Sequence, residues 1–169
     1  MFAEGSKVVH PCYGAGTVVR VQKKSIGDDA RRYYVIEAVC KSMQVMVPVN
    51  RADDLGLREV GRSQYLLQVL QSCAVPPTDS EIGSDLRARQ QEMRDQLKSG
   101  SFTSVADVVR KLYFLSEKRP LGTVDRQLFD RGKDLLASEL ALATNQALDD
   151  AMQIVEETLG SMVAALEQE

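Results

Sequence analysis

Residues 16–39, GTVVRVQKKSIGDDARRYYVIEAV, decide the fold. Val, Thr, Ile and Tyr crowd both sides of Gly27-Asp28-Asp29, a composition that suits strands, while Gly and Asp are turn formers. The stretch therefore predicts a hairpin. Outward from it, KVVHP at 7–11 and SMQVMVPV at 42–49 have the same character, set off by Tyr13-Gly14-Ala15-Gly16 and by Lys41-Ser42. The first 60 residues thus read as a meander of hairpins. Alternation is imperfect: Met43, Val45 and Val47 share one face of the last strand, yet Met46 on the other face is apolar too. A small, strongly bent sheet or open barrel whose outer face is partly covered accounts for this. Gly14 and Gly16 flank a tight turn, where glycine's freedom at positive φ is useful. A GxG without a following helix is a poor phosphate loop.

From about residue 59 the period changes. Val60, Tyr65, Leu66, Val69 and Leu70 keep roughly helical spacing, and CAVPPTDSEIG at 73–83 then brings prolines, a glycine and turn formers. This reading divides the chain into a β domain at 1–72 ending in a short helix, a linker at 73–83, and a compact all-α domain of four to five helices at 84–169. The class is α+β. Ser84 or Asp85 caps the first helix of the second domain, Ser101, Thr103 or Ser104 the next, and Thr123 and Asp125 begin a third. In the last, Leu148, Met152, Val155, Leu159, Met162 and Leu166 repeat at steps of four and three. Such a seam docks inside the domain or across a dimer; a domain this small needs every seam it has, so a monomer is expected.

Composition narrows the function. With 169 residues, 44% hydrophobic and 27% charged, the chain is long enough for one or two cored domains. The opening MFAEGSKVV lacks the pattern of a signal peptide, and no apolar run approaches the roughly 18 residues of a membrane span; a soluble, cytoplasmic protein is expected. Cys12, Cys40 and Cys73 form no CxxC pair, so neither a disulfide framework nor a metal site is expected. The one histidine, His10, sits in an apolar strand before Pro11, and no nucleophile, zinc-protease or nucleotide-binding motif occurs. Neighbouring carboxylates such as Asp28-Asp29 and Glu156-Glu157 point apart on a strand or helix. A binding protein without catalytic residues or cofactor is expected, not an enzyme.

Charge is unevenly spread. Residues 1–72 carry 10 Lys and Arg against 7 Asp and Glu, residues 73–133 carry 11 against 9, and residues 134–169 carry none against 8. In SDLRARQQEMRDQLK at 84–98, placed on a helix, Leu86, Met93 and Leu97 fall within about 40° of one another, with Arg87, Arg94 and Lys98 in a second stripe about 100° away. Acidic Asp85, Glu92 and Asp95 lie on the far side. Sorted charge of this kind suits a phosphate backbone, and it equally suits the solvated flank of an ordinary amphipathic helix.

The order of segments resembles one family. EGSKVVHPCYGAGTVVRVQ, YYVIEAV, MVPV and LGLREV, followed by LKSGSFTSVADVVRKL, LSEKRPL and DRQLFDRGKDLLASELALA, are similar to the CarD/CdnL bacterial transcription regulators over nearly the whole chain. The resemblance implies a Tudor-like or SH3-like β domain, related to the RNA-polymerase-interacting domain of the transcription-repair coupling factor, and a helical domain that touches promoter DNA. It further implies that Lys24, Ile26 and Met46 contact the polymerase β subunit by sheet-edge pairing, and that Leu86, Arg87, Arg89 and Arg126 contact DNA without reading its sequence. The implied result is a stabilised promoter open complex, held at the upstream edge of the bubble in the nucleoid. Met46 stands where the family often has a basic residue, as do Ala88 and Gln91. Leu86 takes the place of a tryptophan that the family wedges into the minor groove, and this chain has no tryptophan. Leu86 either inserts as a weaker wedge or closes the core. An adaptor whose helical domain recruits another protein is the alternative.

Overall fold

The structure is a computed structural model that describes residues 1–167, apart from the side chain of Ile26. Five antiparallel strands form one sheet: β1 (Lys7–His10), β2 (Gly14–Ile26), β3 (Asp29–Ala38), β4 (Gln44–Pro48) and β5 (Arg58–Glu59), in spatial order β4-β3-β2-β1-β5. β2 and β3 make the hairpin expected from residues 16–39, paired from Gly16↔Ala38 to Ile26↔Asp29. A register shift between Val18 and Arg20 bends it, as a bulge does. The bend lets one face close over Val8, Val18, Tyr34, Ile36, Val45, Val47, Ala52 and Leu57. Tyr34 enters this core whole because its hydroxyl accepts a hydrogen bond from the Phe2 N–H at 3.0 Å.

The two glycines of the first turn do different work. The turn itself is Pro11–Tyr13, and Gly14 opens β2 at φ 80°. Gly16 lies within the strand, where a Cβ would stand 2.6 Å from the Glu37 carbonyl oxygen; it is required for close approach, not for its φ.

Six helices follow: α1 (Ser63–Ser72), α2 (Asp79–Ile82), α3 (Leu86–Lys98), α4 (Phe102–Lys118), α5 (Thr123–Thr144) and α6 (Leu148–Glu167). Asp85 caps α3, accepting from Ala88 N–H, and Ser101 caps α4, accepting from Ser104 N–H. Asn145, in the left-handed region at φ 55°, ends α5. The helical core runs through Val108, Val109, Leu112, Leu136, Leu140, Val155 and Leu159. Gly132 lets α5 cross α4 closely, since a Cβ there would meet Val109 Cγ2 at 2.5 Å. The seam of α6 turns inward, with Ala151, Val155, Leu159 and Met162 all buried.

Packing moves the division of the chain. Leu66 and Leu70 of α1, together with Cys73, belong to the helical core, not to the sheet. The expected boundary after residue 72 follows strand composition, but the apolar side of α1 has its partners in the helices. Residues 73–83 are also tied down. Thr78 and Glu81 form a reciprocal capping box at α2, and Arg110 of α4 donates to the Val75 carbonyl at 3.0 Å and to Glu81 Oε1 at 2.9 Å.

Sheet and helices share one junction, along α5. Ala15 N–H donates to Ser138 Oγ at 3.1 Å, and Lys7 Nζ donates to the Leu142 carbonyl at 2.9 Å and to Asn145 Oδ1. Arg58 of β5 meets Glu139 with both ends of its fork, at 2.6 and 2.8 Å, and donates through Nε to the Gly100 carbonyl at 2.7 Å. Glu139 also accepts from Gly61 N–H at 3.0 Å and is only 2% exposed. Bidentate, charge-assisted bonds of this kind fix orientation as well as energy.

Candidate functional site

Two surfaces gather the residues singled out in the sequence. The first is the outer face of β2, β3 and β4. Lys24 stands opposite Arg31 and Met46 opposite Val35. Because side chains alternate across a sheet, Lys24, Arg31 and Met46 share the face turned away from the core. Ile26 holds the next register position on that face, opposite Asp29; its side chain lies outside the described residues. Met46 is 39% exposed on β4, which ends the sheet, so the outer backbone edge of β4 has no strand neighbour. An open edge beside an apolar side chain is the geometry that strand addition uses. Arg20 spans the same face, donating to Gln22 Oε1 at 3.2 Å and to Gln44 Oε1 at 3.5 Å. This strap crosses the register position of Val35, which is buried despite facing outward.

Beyond the last β4 pair, Tyr33↔Pro48, the hairpin continues as a two-stranded ribbon. There Lys23 opposes Arg32 and Lys24 opposes Arg31, all exposed. Like charges directly opposite are unfavourable, and no ion pair among the described residues relieves them. Arg31 therefore joins Lys24 and Met46 as a surface residue that sequence reading missed. The alternation in RRYYV marks it as outward-facing only once the register with β2 is known.

The second surface is the tip formed by the first turns of α3 and α5. Arg89 Nη2 reaches Asp125 Oδ2 at 2.6 Å and Gln90 Nε2 donates to Asp125 Oδ1 at 3.0 Å, with both charged side chains close to nine-tenths buried. Asp125 in the first turn of α5 also sits favourably in the helix dipole. Arg89, expected at the DNA contact, is thus engaged within the fold. Its guanidinium holds two helices together through Nη2, and its buried Nε has no partner. Leu86 is 52% exposed and belongs to neither core cluster, while Met93 and Leu97 of the same stripe are buried. Placed at the very start of α3, it projects past the end of the helical core. Val124, 36% exposed, stands beside Asp125 at the start of α5, and Arg87 and Arg126 are exposed on the same two turns. Val124 carries no signal in one sequence, because its role depends on which helix lies next to α5.

Elsewhere the chemistry is structural. His10 Nδ1 accepts from Cys12 N–H at 3.0 Å and its ring lies 4.9 Å from that of Tyr13; burial pushes its pKa down. Lys118 lies 4.3 Å over the Phe114 ring of its own helix, and Arg119 is exposed. Among the described residues no three His, Cys, Asp or Glu side chains are grouped to hold a metal, and no helix is long and apolar enough to cross a membrane.

The molecule thus presents two candidate surfaces. One surface is an open-edged sheet, the other a basic and apolar helix tip, and the ion pair of partly exposed Arg58 with buried Glu139 joins their supports. Family models match both parts of the chain: residues 2–61 match the CarD-like/TRCF RID domain and residues 66–156 match the CarD C-terminal domain. The chain belongs to the CarD family of transcription regulators and carries its RNA-polymerase-interacting domain. It is 26% identical over 140 residues, 83% of this chain and 90% of the relative, to a Bacillus subtilis (strain 168) protein named "Putative transcription factor YdeB".

Proposed function

We propose that the chain docks on the RNA polymerase β subunit through Lys24, Ile26, Met46 and the neighbouring Arg31, and steadies the promoter open complex with Leu86, Arg87 and Arg126. The observation that carries this reading is the exposure of Leu86 and Val124 beside Arg87 and Arg126, which form no ion pair among the described residues. An apolar side chain flanked by cations is the equipment of a minor-groove wedge: the cations hold phosphates and the wedge rewards an unstacked step. Such contacts carry no sequence readout. Docking supplies the address instead, since tethering to polymerase raises the effective concentration of a weak DNA module at the bubble. Binding the open complex more tightly than the closed one shifts the equilibrium by that difference alone. The same tip would also suit a second protein in place of DNA, since Leu86 and Val124 are both exposed apolar side chains.

The test is the lifetime of open complexes formed by a bacterial holoenzyme in the presence of competitor. Wild type should lengthen it, Leu86→Ala should lose the effect while binding polymerase normally, and Leu86→Trp should extend it beyond wild type. Lys24→Glu with Met46→Glu should abolish polymerase binding itself. A wild-type protein that binds polymerase yet leaves the lifetime unchanged would transfer the tip to a protein partner, as would a fork-junction duplex whose anisotropy it does not alter.

A further inference from the structure

Below the tip, where α3, α5 and the β1–β2 turn meet, lies a cleft of about 260 Å³. Leu97 and Leu128 line it together with Arg94, Lys98 and Arg131, and exposed Cys12 of the turn stands at its edge. Three cations in one small cleft repel one another. No ion pair among the described residues engages any of them; Asp95, beside Arg94, takes the Gln91 amide, and Asp134, one turn past Arg131, feels its charge without forming an ion pair. Five cations of the fold, Arg58, Arg89, Arg110, Lys111 and Lys133, do face carboxylates; these three do not. The cleft therefore concentrates positive charge that no close ion pair neutralises, and Arg94 and Lys98 continue the stripe that Arg87 begins, since seven residues nearly complete two helical turns.

We infer that this cleft is a binding site for the phosphodiester backbone of the same DNA, so that the contact continues from the tip along α3 to the foot of the β domain. The inference rests on the DNA reading of the tip. From Leu86 to Lys98 the helix rises about 18 Å, which corresponds to roughly five base pairs at about 3.4 Å each. The footprint thus extends about half a turn beyond the tip, and the β1–β2 turn, part of the domain that docks on polymerase, stands against the DNA.

Salt dependence reads this directly, because each neutralised phosphate contributes about 0.9 to the slope of log affinity against log salt. The probe is a labelled fork-junction duplex titrated by anisotropy with the full chain between about 50 and 200 mM salt. The triple substitution Arg94→Gln, Lys98→Gln, Arg131→Gln should reduce the slope by about 2 to 3. Trimming the upstream arm by about six base pairs should bring wild type to the same value as the triple variant. Maleimide modification of Cys12, followed in a Cys40→Ser background, should slow several-fold on the long duplex and not on the trimmed one. An unchanged slope in the triple variant, or Cys12 reacting equally on both duplexes, overturns the site. If Arg87→Ala still weakens binding in that case, the tip reading survives without the cleft. If wild type binds neither duplex, both readings fall together.

Discussion

Arg87 and Arg89 are two residues apart and look equivalent in sequence, yet the fold gives them opposite tasks. Arg89 points at Asp125 and is almost covered, whereas Arg87 is exposed. Removing one partner of a buried pair strands the other charge. Asp125→Ala should accordingly cost about 3 kcal/mol in urea unfolding, while Arg87→Ala should change stability by less than about 0.5 kcal/mol and show its effect only on promoter complexes. Equal stability losses for the two variants would contradict the bridge. Nothing in the sequence separates these arginines, because the partner of Arg89 comes from a helix that begins 34 residues after it. Cys73 differs in the same way from Cys12: burial pushes its thiol up to about 11, so alkylation at neutral pH should label Cys12 quickly and leave Cys73 intact in the folded protein.

At the scale of elements, close approach and ion pairing decide which helices meet. Gly132→Ala places a methyl group against Val109 and should lower stability by about 1–3 kcal/mol through overpacking of α4 on α5, read as a drop in thermal midpoint. The short helix α2 is held by charge. Glu81 lies below the ordinary carboxylate range because the Thr78 N–H and Arg110 favour its ionised form. For Asp107, burial pushes upward, but Lys111, Gln96 and Arg110 outweigh it and the group lies low. A carboxylate whose folded value is depressed stabilises above its unfolded value, near pH 4, and loses that contribution as pH falls through the folded value. The α2–α4 contact should therefore be at full strength at neutral pH and weaken below about pH 4. Glu81→Gln with Asp107→Asn should flatten the acid limb of a urea-midpoint profile. An unaltered limb would remove these pairs from the account.

Across the whole molecule, the angle between the two surfaces is set by Arg58 and Glu139. Their pair joins β5, α5 and the turn at Gly100, and without Arg58 the buried Glu139 keeps only the Gly61 N–H as a hydrogen-bond partner. With Arg58 partly exposed, screening reduces the loss below that of a fully buried pair; Arg58→Ala should cost about 2 kcal/mol. Its functional effect should be selective. Polymerase affinity should persist, because the outer sheet face is far from β5 in the strand order, while the open-complex lifetime should shorten because the tip is no longer held at one angle. A variant that keeps the full lifetime would show that the two domains need only a tether.

The sequence by itself determined what short-range chemistry can specify. Strand composition and turn residues around 16–39 set the hairpin, Asp85 and Ser101 set helix starts, and the α6 repeat required an inward face. The ordered resemblance of segments supplied the family and, with it, the expected contact residues Lys24, Ile26, Met46, Leu86, Arg87, Arg89 and Arg126. Only the tertiary structure decided that α1 belongs to the helical core, that Arg89 is spent on Asp125, that Arg31 and Val124 stand beside the expected contact residues, and that Arg94, Lys98 and Arg131 converge. The physical reason is distance along the chain. A cap or a turn is made between residues two to four apart, whereas an ion pair, a register and a cleft join residues tens of positions apart, and one sequence does not say which of many charged side chains will be brought face to face.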